Sequence, residues 1–456
     1  MASGRVELTF DEAYYALWSQ HLAWGYHDHP PMVAAWIRAS TTLFGVSDWG
    51  MRALGWLAFA LAPALIAAIA WRAFGSARAA AFAALLWVSM PLVAATPIAT
   101  PDGPLVFFWA LATACLVEIW RGRKAGWLGL GLVGGLAFLS KFTAFFLGGG
   151  LGLALIVTPS LRRWFVSPLP YLASLLALAL FAPFVVWNSA HGWETFAMQF
   201  QRVPAHAFRP GYLLELTGSQ LLLGNPFVFA AAALGIASGL KAPDGEAPRL
   251  LAATIAPLIL YFFVHALHDR VQGNWPAPLY PAIAILAGHA AAQGGWAERL
   301  ARLAPPLGLG LVALAFLHVA TAYPPPGPTD PLARIGGWRA LASEVGARAA
   351  QEHAAFLVTE GYASTSLLRW YGRDLPPVVE GEDSVRWTQE PPADKALFAQ
   401  PGLAFADAKD HYETTLARHF REVEEVGALD REVGGRKVGA YVLFRVSGLR
   451  DDPAKW

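Results

Sequence analysis

The sequence predicts an α-helical polytopic membrane protein that carries a small soluble α/β domain towards its C-terminal end. Three observations predict it. Hydrophobic residues fill 55% of 456 positions and charged residues only 15%, whereas a soluble domain is nearer a quarter charged. About ten apolar segments, most of them near the ~20 residues that a spanning helix needs, run from Met51 to Ala322. The loops between them alternate in character. One set is short and basic; the other carries carboxylates, histidines, Asn, Trp and Pro.

The apolar segments read as spans at 50–71, 80–98, 104–120, 125–139, 143–158, 169–187, 220–240, 250–267, 277–293 and 303–322. Two of them, 125–139 and 143–158, are short for a full crossing and suit one bent hairpin around Ser140-Lys141. The basic loops hold Arg72 to Arg78, Arg121 to Lys124, Arg162-Arg163, Lys241 to Arg249 and Glu298 to Arg302. Positive charge beside span ends marks the cytoplasmic side. The polar loops, residues 1–49 and everything after Ala322 are therefore expected outside, away from ATP and nucleotide sugars. An external start with no span before it predicts a further apolar helix encoded upstream of Met1.

Within the external segment 1–49, Tyr14 to Trp24 and Met32 to Phe44 show helical spacing of apolar and aromatic residues, and Pro30-Pro31 separates them. They read as short amphipathic helices in the membrane interface. The run Tyr323-Pro324-Pro325-Pro326-Gly327-Pro328 reads as a stiff linker between the membrane domain, 50–322, and a soluble domain, 329–456. In the soluble domain, 337–352 reads as a helix, and 355–359, 402–406 and 437–445 read as strands. No glycine-rich phosphate motif appears there. This domain is expected to cap a membrane site rather than carry chemistry.

Composition also excludes classes. A net charge of +1 leaves no electrostatic footprint for nucleic acid. The single cysteine, Cys115, sits in an apolar run, so neither an intrachain disulfide nor a CxxC-type metal site is available. His27, Asp28 and His29 alternate on a short stretch, but three ligands from one loop without a fourth are a weak metal pattern.

The remaining candidates lie in the polar loops. Asp11-Glu12 precedes a helical pattern, where capping alone would explain both acids. Asp102 follows Thr100-Pro101 at the start of a span, where capping is again the plain explanation. Lys141 lies amid apolar residues, where an unpaired ammonium is costly; snorkelling, a phosphate contact or a pairing with Asp102 would each account for it. Arg270 has the planar fork that suits phosphate oxygens. Asn188, His191, Trp193 and Glu194 in one loop, and Asn274 and Trp275 in another, have the amide and aromatic groups that sugars or headgroups contact.

Taken together, several motifs resemble the GT-C glycosyltransferases that use polyprenyl-phosphate sugars. They are Asp11-Glu12-Ala13-Tyr14-Tyr15, His29-Pro30-Pro31, Leu43-Phe44-Gly45 and Arg52, which match that superfamily's first external loop. Ala99 to Asp102, Leu139 to Lys141 and Gln272 to Pro276 resemble its bacterial branch. This branch includes transferases that add aminoarabinose or galacturonic acid to lipid A and lipopolysaccharide. The resemblance implies a GT-C-like fold and an inverting transferase moving one sugar from a polyprenyl phosphate to a lipid, glycan or protein hydroxyl. It implies a bacterial inner-membrane location, no required cofactor, and a divalent ion in some relatives but not others. It puts Asp11 in the role of general base, with Glu12 and Asp102 as further catalytic carboxylates. His29, Lys141 and Arg270 would face the donor phosphate, and His27, Asp28, His191, Asn274 and Trp275 the substrates. Lipid A relatives carry Glu-Lys before the Pro-Pro pair, and this chain has Asp28-His29, a weaker and pH-dependent cation.

Two other classes share parts of this pattern. A transporter or flippase of lipid-linked sugars should carry polar or broken segments near the midplane. Here the segment centres are Ala, Leu, Gly and Phe, and the ionisable groups cluster towards the loops. A ligase using a polyprenyl diphosphate shares the topology and differs in its donor.

Overall fold

The computed structural model describes residues 6–200, 207–242, 245–382, 384–391 and 393–450. Residues 243 and 244 of the basic loop read at 241–249 lie outside these. Helices α1 (Phe10–Trp18), α2 (Met32–Phe44), α3 (Asp48–Phe74), α4 (Ala77–Val88), α5 (Asp102–Trp120), α6 (Ala125–Phe138), α7 (Phe145–Val157) and α8 (Leu169–Ala190) are followed by the short α9 (Glu194–Phe200). Then come α10 (Gly211–Gly224), α11 (Pro226–Lys241), α12 (Glu246–His265), α13 (Tyr280–Ala292) and α14 (Gly295–Thr321).

Among the described residues, α3, α5, α8, α12 and α14 are long and apolar enough to cross a membrane. Two bent pairs pass the same test together, Phe142–Val157 with Pro159–Val166 and α10 with α11; Ala77–Val88, Ala125–Phe138 and Ala277–Ala292 are shorter apolar helices. Each of the ten segments read from the sequence overlaps one of these elements, but the one read at 220–240 is broken between α10 and α11, with α10 starting at Gly211, and α4 ends at Val88, short of the end read at 98. The chain is a multi-pass membrane protein.

The chain divides into two compact units: residues 1–27, 37–51 and 315–456 form one, and 28–36 with 52–314 form the other. In the helical unit, close approach rests on small residues. Gly131 and Gly135 on α6 face Ala173 and Ala177 on α8, and a Cβ at Gly131 would lie 2.7 Å from the Ala173 carbonyl oxygen. This four-residue spacing of small side chains lets two apolar helices touch backbone to backbone. The expected single hairpin of 125–139 and 143–158 is not what forms. Helix α6 packs on α5 and α8, while α7 packs on α12.

Polar glue closes the bundle elsewhere. Between α10 and α11 the chain bends by 98° at Asn225, which is 1% exposed. The Asn225 amide donates to the Ser89 carbonyl at 3.0 Å and the Ala304 carbonyl at 2.8 Å. The basic loops are tied down by acids: Arg72 and Arg123 pair with Glu118, and Arg78 and Arg302 pair with Glu298.

The other unit contains the short α15 (Pro331–Ile335), α16 (Trp338–Gln351), α17 (Tyr362–Tyr371) and α18 (Glu413–His419). Its strands are β1 (Leu357–Thr359), β2 (Val378–Glu380), β3 (Gly402–Asp407), β4 (Phe420–Val433) and β5 (Arg436–Leu449). The sheet order is β2-β1-β3-β5-β4. Strand β1 runs parallel to β2 and β3, and β5 runs antiparallel to β3 and β4. Phe356, Phe398, Leu416, Phe420 and Val446 pack its core. The helix expected at 337–352 and the three expected strands are present. Strand β4 was not foreseen, because its acidic sequence serves an edge; Gly434 and Gly435, at φ 58° and 73°, turn it into β5.

The N-terminal stretch belongs to this unit rather than standing as a separate loop domain over 1–49. The Glu7 carboxylate accepts from the backbone N–H groups of Trp338 and Arg339 at the start of α16. Asp48, 5% exposed, accepts from Arg339 at 2.8 Å, the Trp370 indole at 2.8 Å and the Tyr371 hydroxyl at 3.2 Å. Tyr371 in turn accepts from the Leu8 N–H at 2.6 Å. The linker residues are held as well, by His318 to Asp330 at 2.9 Å.

Glu360 gives this unit a pH signature. Burial above all, then the Asp410, Asp407 and Glu382 charges, push it up to about 7 from 4.5. The Asp407 N–H, which donates to it, opposes this. Between those two pH values the folded state holds a proton that the unfolded chain releases, so stability falls as pH rises through that window. The thermal midpoint should decline from pH 4.5 to pH 7, and Glu360→Gln should flatten the decline in a series of melts across that range.

Candidate active site

In the helical unit the site begins at the first turn of α5. Pro101 caps that helix without a side-chain bond, leaving Asp102 in the first turn, where the helix dipole favours a carboxylate. Lys141 stands just beyond α6 in extended conformation. Its ammonium lies 2.7 Å from Asp102 Oδ1. The Asn274 amide donates to Asp102 Oδ2 at 2.6 Å. The Lys141 ammonium also sits 5.7 Å from the centre of the Trp275 ring. Both side chains of the ion pair are mostly buried, at 13% and 12% exposure.

Three segments more than thirty residues apart thus converge on one carboxylate. With each oxygen accepting a hydrogen bond, Asp102 is suited to holding Lys141 and Asn274 in place. An ammonium has three donors, so pairing with Asp102 leaves it able to contact an anion. Gly103, the residue after Asp102, also lines a small apolar pocket. Gly55, Ala58 and Ala62 on α3 and Gly103, Phe107 and Ala110 on α5 form its walls, each trio spaced as one helix face.

Further candidates lie in this unit. Arg270, more than half exposed, pairs with Glu215 at 2.9 Å and lies over the Tyr212 ring. His191 is exposed, stacked on Trp187 at 4.1 Å with Nδ1 2.8 Å from the Trp187 carbonyl. Asn188 is fully buried and donates to the Phe184 carbonyl one turn back. Trp193 is exposed and Glu194 opens α9. Asp28 is buried, and its carbonyl accepts from the Gln199 amide at 2.8 Å; His29 beside it is half-buried.

In the other unit, Thr9 caps α1, and Asp11 and Glu12 occupy its first turn. Glu12 is fully buried and returns the cap: its Oε2 accepts from the Thr9 N–H at 3.0 Å and hydroxyl at 3.3 Å. Asp11 is half-buried and accepts from the Tyr362 hydroxyl at 3.4 Å. His27 is half-buried in the same unit. The adjacent acids therefore differ: Glu12 closes a capping box, and Asp11 faces a phenol. Sequence reading missed Tyr362 and Arg386, whose guanidinium lies 4.6 Å over the Tyr362 ring. Neither has a local signal, since each is an ordinary residue of a charged, soluble stretch. Among the described residues, no group of three His, Cys, Asp or Glu side chains is placed to hold a metal ion.

This geometry can be set beside known proteins. The fold matches the crystal structure of ArnT from Cupriavidus metallidurans bound to undecaprenyl phosphate, with a TM-score of 0.69 and 17% identity over 97% of this chain and 95% of that one. Residues 28–187 match the family described as Dolichyl-phosphate-mannose-protein mannosyltransferase. Over those residues the chain is similar to that family, and its overall fold is like that of the solved transferase. It is 29% identical over 284 residues to the lipid A galacturonosyltransferase RgtD of Rhizobium johnstonii, spanning 61% of this chain and 59% of that protein. It is 28% identical over 353 residues to the undecaprenyl phosphate-alpha-4-amino-4-deoxy-L-arabinose arabinosyl transferase of Pseudomonas aeruginosa, spanning 68% and 60%. The chain thus spans about three fifths of the length of the curated relatives it matches.

The buried pair makes a stability prediction. Lys141→Met strands a carboxylate and should destabilise the protein by about 3 kcal/mol. Combining it with Asp102→Leu should recover most of that loss, as read by thermal unfolding in detergent.

Proposed function

We propose that this protein is an inverting glycosyltransferase that takes one sugar from a polyprenyl phosphate at the outer face of a bacterial inner membrane. The acceptor is a hydroxyl of lipid A or a related glycolipid. The observation that carries the reading is a mostly buried lysine, fixed by Asp102 and Asn274. A lipid phosphate needs such a cation for its head. Lys141 would hold the phosphate, with Asn274 and Trp275 beside it.

In the proposed reaction the acceptor oxygen attacks the anomeric carbon from the face opposite the phosphate. The bond from that carbon to the phosphate oxygen breaks, configuration inverts, and polyprenyl phosphate leaves with the bonding pair. Asp11 takes the acceptor's proton. Lys141 stabilises the charge that develops on the departing phosphate, which is where a preorganised cation acts most strongly. Glu12 supports Asp11 by fixing the first turn of α1. Names of relatives support a lipid A acceptor and either a galacturonic acid or an aminoarabinose donor.

The test is transfer in membranes, using labelled polyprenyl-phosphate galacturonic acid and undecaprenyl phosphate-4-amino-4-deoxy-L-arabinose with lipid A. The parent should transfer one of them. Asp11→Asn should lose more than about a hundredfold, the scale of a removed general base. Full transfer by Asp11→Asn would take the base role from that residue. No transfer of either sugar by folded parent protein would favour a transporter or a diphosphate-dependent ligase.

A further inference from the structure

We infer that Tyr362 is a positioning residue for Asp11, so that the C-terminal domain supplies part of the transfer machinery. The inference rests on the base role proposed above for Asp11. Tyr362 is the first residue of α17, and its hydroxyl donates to Asp11 Oδ1 at 3.4 Å. Its ring is held from several directions. Phe10 meets it edge-on at 5.9 Å, Tyr14 lies tilted against it at 5.1 Å, and the Arg386 guanidinium covers it at 4.6 Å. Those holders are themselves fixed: the Tyr14 hydroxyl donates to the Arg386 carbonyl, and Tyr14 packs edge-on against Trp387 at 5.3 Å. The turn of α1 that carries Asp11 is thereby bound to the residues that orient the phenol.

The chemistry follows from what a carboxylate base must do. It has to present one oxygen to the incoming hydroxyl in a fixed direction. A donor on the other oxygen fixes the rotamer and favours the charged form that accepts a proton. A cation over the ring face draws electron density from the phenol and strengthens its O–H as a donor. A long contact in the resting enzyme is the ordinary state of such a bond, which tightens when substrate binds. Ring packing alone would be served by phenylalanine; the hydroxyl is the part that packing does not explain.

The experiment uses the full chain in membranes and whichever of the two labelled polyprenyl-phosphate sugars the parent transfers. Tyr362→Phe keeps the ring and removes the donor. It should lower kcat/KM about tenfold, the scale of a hydrogen bond to a charged group, and move the acid limb of the pH profile to higher pH. Tyr362→Leu should lose at least as much. On an Asp11→Asn background, Tyr362→Phe should cost little more, because it acts through that carboxylate. A Tyr362→Phe enzyme with parental kcat/KM and an unmoved acid limb, in a protein where Asp11→Asn is inactive, would overturn the inference and leave the base role standing. So would losses that add fully in the double variant. Parental activity in Asp11→Asn, or no transfer by the parent, would remove the base role and the inference together.

Discussion

A lysine set among apolar helices has to find a counter-charge, and the organisation of the helical unit around Lys141 follows from that constraint. Asp102 answers it at 2.7 Å. It can do so because α5 begins at the same level at which α6 ends, so that a first-turn acid meets the residue just beyond a helix terminus. Asn274 takes the second oxygen, so both oxygens of the buried carboxylate are engaged, which is what makes a buried ion pair tolerable. The small residues of the bundle serve the same end. Glycines on α6 let α8 approach closely, and the buried amide of Asn225 ties two further carbonyls together. A bundle held by close contact and a few satisfied polar groups can present a cation in a fixed place.

The second unit is organised by acids that gather donors. Glu7 accepts from the first N–H groups of α16, and Asp48 gathers an arginine, an indole and a phenol. Each bond joins a residue near the start of the chain to one more than 290 positions later. Their joint effect is that α1, which carries Asp11, is part of the same compact body as the sheet. The soluble domain, expected from its composition to be only a cover, thereby shares a unit with the carboxylate proposed as base.

Much of the fold was legible because it follows from local pattern. Apolar length marked the helices of the bundle, and apolar content and alternation marked β1, β3 and β5. Strand β4 was obscured because an edge strand tolerates charge: Glu422, Glu424 and Glu425 lie along it, and its pairing with β5 is fixed by a glycine turn rather than by hydrophobicity. For the site, sequence offered a pairing with Asp102 as one account of Lys141, and the structure shows that pairing. It could not tell the two adjacent acids apart. Thr9, three residues before Glu12, already spelled a capping box, and that local signal would have separated Glu12 from Asp11.

The sequence by itself determined that this is a polytopic helical protein with a soluble C-terminal domain, and that Asp11, Asp102 and Lys141 deserved scrutiny. Those properties depend on composition, on periodicity and on motifs a few residues long. Only the tertiary structure decided that both oxygens of Asp102 are engaged, that Arg270 is paired with Glu215, and that Tyr362 stands by Asp11 with Arg386 over its ring. The physical reason is that a hydrogen bond or ion pair depends on ångström-scale distance between side chains. Where segments hundreds of residues apart supply the partners, packing sets that distance and no local pattern records it.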